Sequence, residues 1–377
     1  MKQGWKIYKL EDICTIYDKL RKPISKKDRV SGIYPYYGAS CVQDYVNDYI
    51  FDGRYVLIGE DGAKWGSGED TAYIVEGKFW VNNHAHIIQC NNGIVDTFIY
   101  YYFNHLDLTK LVAGAIIPKL TQETLRSMEI PIPPISEQQR IVALLDAEFA
   151  KIDALKANAE KNLQNAKDLF QAALKKELEP KEGWITKTLG EVCDVQCGST
   201  PLRSEPLFWE NGTYPWFTVD DIREQGRVIT DTKQKITKLA WDKLRVFPAN
   251  SVLLCCTASV GEYAITTIPL TSNQQFNGLT IKKGIDITPM YLFHFASTLK
   301  EKLLKLSGKA TIDFVSGTKV KSIEIAFPPV IDQQSIVSRL DTLSEKCKAL
   351  QANYEKTLSL CDDLKQALLR KAFNGEI

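Results

Sequence analysis

The side chains here best placed to do chemistry are cations, and the chemistry is capture of a polyanion. Lys19, Arg21, Lys22, Lys26, Lys27 and Arg29 crowd an eleven-residue, loop-like stretch. Charges at that density displace counterions from a phosphate backbone; the plainer reading is a solvated loop. A second basic run, Arg223, Arg227, Lys233, Lys235, Lys238, Lys243 and Arg245, is interrupted by Glu224, Asp231 and Asp242. Between residues 59 and 68 the chain reads Gly-Glu-Asp-Gly-Ala-Lys-Trp-Gly-Ser-Gly. Glycines around Lys64 and Trp65 suit a loop that comes close to a groove; the alternative is a turn with Trp65 packed inward. Thr257, Ser259 and Gly261 hold the corresponding place later in the chain. Ser199, Thr200, Arg203, Thr218 and Asp220 carry polar groups able to meet base edges or phosphates. Taken singly, each also suits ordinary turn chemistry.

Other chemistries find less support. His84-Ala85-His86 would place two imidazoles on one face of a strand, yet no Cys or carboxylate pattern completes a metal site. Cys193 and Cys197 lack a partner pair and read as structural. Nuclease-like Glu-x-Lys triplets occur at Glu76-Gly77-Lys78 and Glu179-Pro180-Lys181, but such triplets arise by chance in a Lys/Glu-rich chain. The phosphate-cradling Gly-x-x-x-x-Gly-Lys-Ser/Thr string and the Asn-Pro-Pro-aromatic or Asp-Pro-Pro-Tyr string of amino-methyltransferases do not occur.

The elements that must position these residues come in duplicate. Residues 127–174 align without a gap on 322–369, an offset of 195, and 24 of the 48 paired positions are identical. Ser127-Met128-Glu129-Ile130 answers Ser322-Ile323-Glu324-Ile325, and Gln138-Gln139 answers Gln333-Gln334. Each copy is a long helical pattern behind a different globular stretch, so the chain is two half-molecules. From Ser136, a plausible N-cap, to about Leu178 there is no Gly or Pro. Ile141, Leu145, Ile152, Leu155, Ala159, Ala166, Leu169 and Ala173 recur at helical spacing, giving about 43 residues or roughly 65 Å. The second stripe runs from about Ile331 to Phe373 through Ile336, Leu340 and Leu343. Two matched apolar stripes are expected to pack as a coiled coil. The short link from the first helix to the second head favours an antiparallel pair. The globular stretches mix buried-strand runs (Tyr55–Ile58, Ala85–Ile88, Ser251–Cys255) with a short aromatic helix near Val95–Leu106. They share weak anchors: Gly4-Trp5 with Gly183-Trp184, Cys14 with Cys193, and Tyr34-Pro35-Tyr36 with Tyr214-Pro215-Trp216.

Composition bounds the rest. A chain of 377 residues has room for two or three domains. Forty-seven Lys and Arg stand against 46 Asp and Glu, a net charge of +1, so any polyanion binding must be local. Nine cysteines, an odd number without repeated Cys-x-x-Cys pairs or a signal peptide, suggest reduced thiols and a cytoplasmic location. No apolar run approaches the roughly 20 residues a membrane span needs.

These motifs make the chain similar to the specificity subunit of type I restriction-modification systems. The resemblance rests on Pro-Pro-x-x-Glu/Asp-Gln-Gln at 133–139 and 328–334, and on the helix ending Leu369-Arg370-Lys371-Ala372-Phe373-Asn374-Gly375-Glu376. It also rests on Gly198-Ser199-Thr200-Pro201 with Asp220-Asp221-Ile222. Asn273-Gln274, Ala310-Thr311 and Ile117-Pro118-Lys119-Leu120 fit as well. The first head has Lys19 to Pro23 where the second has its Gly-Ser-Thr-Pro. The resemblance implies an α+β chain of two α/β target recognition domains (1–135 and 181–330). Two long helices (136–180 and 331–377) would join them, packed as an antiparallel coiled coil about a pseudo-two-fold axis. Each head would read half of a split site on double-stranded DNA. The helices would set the spacing and dock other subunits, with Gln138, Gln139, Ile141, Leu145, Gln333, Gln334, Ile336 and Leu340 at the docking and coiled-coil positions. Two methyltransferase subunits would use S-adenosylmethionine, and motor-nuclease subunits ATP and magnesium. This chain would be non-catalytic and hold no cofactor or metal. A DNA-modifying nuclease and a coiled-coil scaffold without DNA binding remain the competing classes.

Overall fold

The computed structural model describes residues 4–112, 114, 118–307 and 313–377; Ile117 and the Ala310-Thr311 pair therefore lie outside the described residues. The chain divides into two compact units, 1–162 with 353–377, and 163–352. The break falls inside both long helices, Ile135–Glu177 and Val330–Phe373, so each head carries a segment of both. The first helix begins at Ile135. Ser136 thus sits in its first turn, and the Pro134 carbonyl accepts from the Gln138 N–H at 3.1 Å.

In the first unit the head opens on strand Lys6–Lys9, zipped antiparallel to Glu129–Ile132 just before the long helix. Its sheet has the order Cys14–Ile16, Ala85–Cys90, Phe51–Gly59, Ala72–Val81, Ser31–Tyr37, Val42–Val46. The apolar run Val56-Leu57-Ile58 is wholly buried at the centre of this sheet, which is why it lacks the alternation of a half-exposed strand. Helix Asp96–His105 covers one face. It packs Phe98, Ile99 and Phe103 with Ile141 and Leu145 of the first long helix and Leu369, Ala372 and Phe373 of the second. The two helix segments run antiparallel here, with Lys156 on Asp362 (2.7 Å) and Asp153 on Lys365 (2.5 Å).

The second unit repeats the plan. Strand Ile185–Thr188 pairs with Glu324–Phe327, in the register that Lys6–Lys9 keeps with Glu129–Ile132. Cys193–Cys197, Phe276–Ile281, Val252–Cys255 and Tyr263–Thr266 follow in the same spatial order, ending on Val228–Ile229. What was one sheet in the first head is split in the second, because Gln234–Ile236, Tyr214–Phe217 and Thr271–Ser272 form their own three-stranded sheet. Leu174 packs with Ile336 and Leu340 in one core, and Glu177 pairs with Arg339 at 2.6 Å, again antiparallel.

Each helix start is locked by one buried glutamine. The Gln138 amide accepts from the Val95 N–H (2.8 Å) and donates to the Pro133 (2.9 Å) and Gly93 (3.2 Å) carbonyls. Gln333 does the same with Thr288 (2.8 Å), Pro328 (2.8 Å) and Asp286 (2.7 Å). About two turns further along each long helix, Asp146 accepts from Tyr101 at 2.5 Å, and the equivalent Asp341 meets His294 at 2.8 Å. Gln138, Ile141, Leu145, Gln333, Ile336 and Leu340 are therefore consumed inside their own units. Of the residues expected at docking positions, only Gln139 and Gln334 face solvent.

Candidate nucleic-acid interface

The first head's basic loop separates into free cations and bound ones. Lys19, Lys22, Lys26 and Lys27 are exposed and make no ion pair among the described residues. Arg29 is held by Asp44 at 3.1 Å and stacks on Tyr36 at 4.3 Å. The expectation for Arg21 needs correction. Its guanidinium turns inward to Glu60 and, at 3.4 Å, to Asp18, and donates to the Ala85 carbonyl at 2.8 Å. Lys119 reaches the other Glu60 oxygen at 2.6 Å. Arg21 thus neutralises buried carboxylates of its own head and has no charge to spare for a phosphate.

The same cluster corrects the histidine pair. The strand begins at Ala85, so the two side chains do not share a face. His84 is half-exposed beside Asp61, whereas His86 is fully buried between Asp18 (2.5 Å) and the Leu120 carbonyl (2.8 Å). Burial alone would raise the Asp18 carboxyl, but the hydrogen bond and charge of His86, with Arg21, outweigh it and hold the group below the usual range. Glu60 behaves alike, its burial overcome by Lys119 and Arg21. Donor atoms of Asp18, Glu60 and His86 lie within 4.8 Å of one another, the spacing a metal would need. Arg21 and Lys119 already supply the cationic charge there, and His86 Nε2 is spent on Leu120, so the chemistry of the set is that of a compensated ion cluster.

The glycine loop also turns inward. Trp65 lies in the core, and its carbonyl accepts from the Leu108 N–H at 2.8 Å. Ser67 donates to the His105 carbonyl (2.7 Å). A Cβ on Gly68 would meet Gln366 of the second long helix at 2.1 Å, so the close approach that needs glycine is to that helix. Lys64, with Gly62, stays exposed.

In the second head's basic run at 223–245, five of the seven cations are self-paired. Arg223 binds Asp220 (2.9 Å) and Arg227 binds Glu262 (2.9 Å), while Lys233, Lys235 and Lys238 pair with Glu224, Asp231 and Asp242. Thr218 is buried as the cap of helix Val219–Gln225, its N–H bonded to Asp221 at 2.7 Å; helix capping is what the sequence signal meant. Arg223 and Ser259 line one cavity of about 420 Å³, beside Ala258 at φ 62, a left-handed backbone costly for a residue with a Cβ. Thr257 bridges to Phe314. Near this run, Arg203, Lys243 and Arg245 have no carboxylate partner among the described residues: Arg203 stacks on Trp209 (4.0 Å) and Trp216 (4.5 Å), Lys243 on Phe208 (4.9 Å), and Arg245 donates to the Cys197 carbonyl (3.2 Å). Ser199 and Thr200 lie on the loop that bears Arg203. The sequence reading missed Trp209 and Trp216 here, and Tyr36 and Trp80 in the first head. The repeated Tyr-Pro-aromatic anchor was the available signal.

Comparison with known proteins accounts for this arrangement. The family model described as type I restriction modification DNA specificity domain matches residues 2–165 and 181–359. A putative type I restriction enzyme specificity subunit of Haemophilus influenzae is 29% identical over 344 residues, 88% of this chain and 86% of that protein. The EcoR124I/EcoR124II specificity subunit of Escherichia coli is 26% identical over 285 residues, covering 72% and 68%. The fold matches a chain in a structure of type I R-M system assembly, with a TM-score of 0.76 at 20% identity over 100% of this chain and 99% of that one. It also matches the crystal structure of the HsdS subunit from Thermoanaerobacter tengcongensis, with a TM-score of 0.59 at 20% identity over 100% and 98%.

Proposed function

Because the chain belongs to the type I restriction modification DNA specificity family, we propose that each head reads one half of a split, asymmetric site on double-stranded DNA, with the long helices setting the distance between halves. The chain is a non-catalytic DNA-recognition subunit, and the chemistry lies in its partners. Those partners are two methyltransferase subunits, which hold S-adenosylmethionine, and motor-nuclease subunits, which use ATP and magnesium. They meet it where the helix starts leave side chains open, at Gln139, Gln334 and Ile331, the last 79% exposed. The complex works in the cytoplasm, where the DNA is; no helix among the described residues is long and apolar enough to cross a membrane.

One observation carries this reading. The two heads share strand order, register and helix lock, yet differ in the loops that carry their free cations and aromatic faces. A common scaffold with unlike reading surfaces suits an asymmetric two-part target.

The test is to map methylated adenines with the partner methyltransferase present, before and after inserting four residues in the first long helix near Asn162. An intact helix grows by about 6 Å. Both half-sites should stay the same while the unspecified spacer gains one or two base pairs, roughly 3.4 Å each. Changed half-site bases with an unchanged spacer would end the reading.

A further inference from the structure

In both heads, aromatic side chains hold the backbone of a loop earlier in the sequence. In the second head the Trp216 Nε1–H donates to the Ser199 carbonyl at 3.2 Å, and the Trp209 Nε1–H to the Leu202 carbonyl at 3.0 Å. Arg203 lies across both indole faces and donates to the Gln234 amide oxygen at 2.8 Å. Thr200 hydrogen-bonds Gln274, the Ser199 N–H donates to the Ser272 carbonyl (2.8 Å), and the Thr237 hydroxyl to the Leu207 carbonyl (2.7 Å). The loop 199–208 is thus ordered by its own head before any ligand arrives. Its two leucines nonetheless point outward, Leu202 at 65% and Leu207 at 67% exposure, on either side of the loop's other contacts.

Tyr36, the counterpart of Trp216, does the same work in the first head. Its hydroxyl accepts from the Ile24 N–H at 3.0 Å, Trp80 donates to the Lys22 carbonyl at 2.6 Å, and Arg29 stacks on the Tyr36 ring. There the loop presents Lys22, Lys26 and Lys27 beside a single exposed leucine, Leu20. One device, repeated in sequences that otherwise diverge, carries two kinds of surface. Cations suit phosphates, which carry no base information. An exposed apolar side chain on an ordered loop suits base edges, above all the thymine methyl in the major groove. Ordering the loop in advance removes an entropic cost from binding.

We propose that loop 199–208 is the base-reading element of the second head, with Leu202 its specificity-determining side chain and Trp209 and Trp216 positioning residues that hold the loop. This rests on the half-site reading above. The test uses the full chain with its partner methyltransferase, as wild type, Leu202→Ala and Trp209→Phe, on a randomised duplex library with methylation as the readout. Leu202→Ala, an exposed change that spares the fold, should relax preference at a base position of the second head's half-site by about tenfold. The first half-site and the salt slope of binding should not move. Trp209→Phe keeps a ring under Arg203 but loses the bond to Leu202. It should lower the ratio of cognate to unrelated affinity several-fold in the same half-site, whereas mere loss of folded protein would scale both affinities together. Wild-type preference retained at every position by Leu202→Ala, or a cognate ratio unchanged in Trp209→Phe, overturns the proposal. A wild type without any two-part preference overturns the half-site reading first, and is seen before either variant is measured.

Discussion

The loop at 19–29 of the first head leaves its lysines free above a buried charge cluster; in the second head the basic run at 223–238 is neutralised on the surface, and the loop before it exposes Leu202 and Leu207. Around residues 19–29, four lysines have no carboxylate partner among the described residues, while Arg21 is drawn down to Asp18 and Glu60. Around 220–242, the basic residues alternate with Asp220, Glu224, Asp231 and Asp242 and pair with them, except Arg227, which pairs with Glu262. A count of basic residues therefore overstates the grip of that run on a polyanion. Free charge decides counterion release, and a lysine already facing aspartate has little left to release. Meanwhile the scaffold is indifferent to this divergence: the Gln138 and Gln333 locks are the same bond for bond.

The comparison breaks most visibly at Arg21. If its role is internal, Arg21→Ala strands Glu60 and Asp18 in a buried site and should cost about 3 kcal/mol of stability. Lys22→Ala, the next residue along but in solvent, should stay within about 0.5 kcal/mol. Urea unfolding of the two variants checks this; equal, small costs would return Arg21 to the surface.

A second measurement sets loop against loop. Replacing Lys22, Lys26 and Lys27 together by Ala should weaken binding on cognate and unrelated DNA alike. It should flatten the salt dependence by up to about one unit per lost phosphate contact. The matching triple in the second head, Lys233, Lys235 and Lys238, should move the slope by less, because each lysine is paired in the free protein. Equal changes in slope would mean that self-pairing does not distinguish the heads.

The smallest effect is one of pH. His105 stacks on Phe373 (centroids 5.2 Å apart), and its buried Nδ1 has no hydrogen-bond partner among the described residues. Burial, with Arg370 nearby, pushes its pKa below the ordinary value. His294 is also pushed down by burial, but its hydrogen bond to Asp341 pulls it part of the way back. Both groups take up a proton more readily unfolded than folded. Their contribution is complete above about pH 6.5 and is lost as pH falls through the lowered folded values. Acidifying from about pH 7.5 to about 5.5 should therefore lower the melting temperature by about 1–2 °C. Hydrogen exchange should show helix Asp96–His105 opening more than helix Pro289–Ser297, and His105→Phe should remove that excess. Equal opening of both helices would show that Asp341 makes no difference.

These residues also mark the boundary between local and tertiary information. The offset of 195 between the copies, the Gly- and Pro-free stripes and the Pro-Pro-x-x-Glu/Asp-Gln-Gln strings are properties of chain neighbours. From them came the duplicated plan, two helices accurate to about a residue, the main buried strands and the family. Helical period and backbone breakers act over a few residues, so a sequence carries them openly. Whether a side chain faces solvent or its own core was decided elsewhere. Arg21 reads as outward and Trp65 as either outward or packed in, yet one is claimed by Glu60, 39 positions on, and the other by the core that Phe98 and Leu369 share. Gln138 was expected to dock a partner and instead closes on Val95. The lysines of the second head looked like a basic patch until their carboxylates were placed beside them. Charge and polarity are written in the sequence, but burial and pairing join residues brought together only when the chain closes on itself. A buried charge must find compensation wherever the fold puts it.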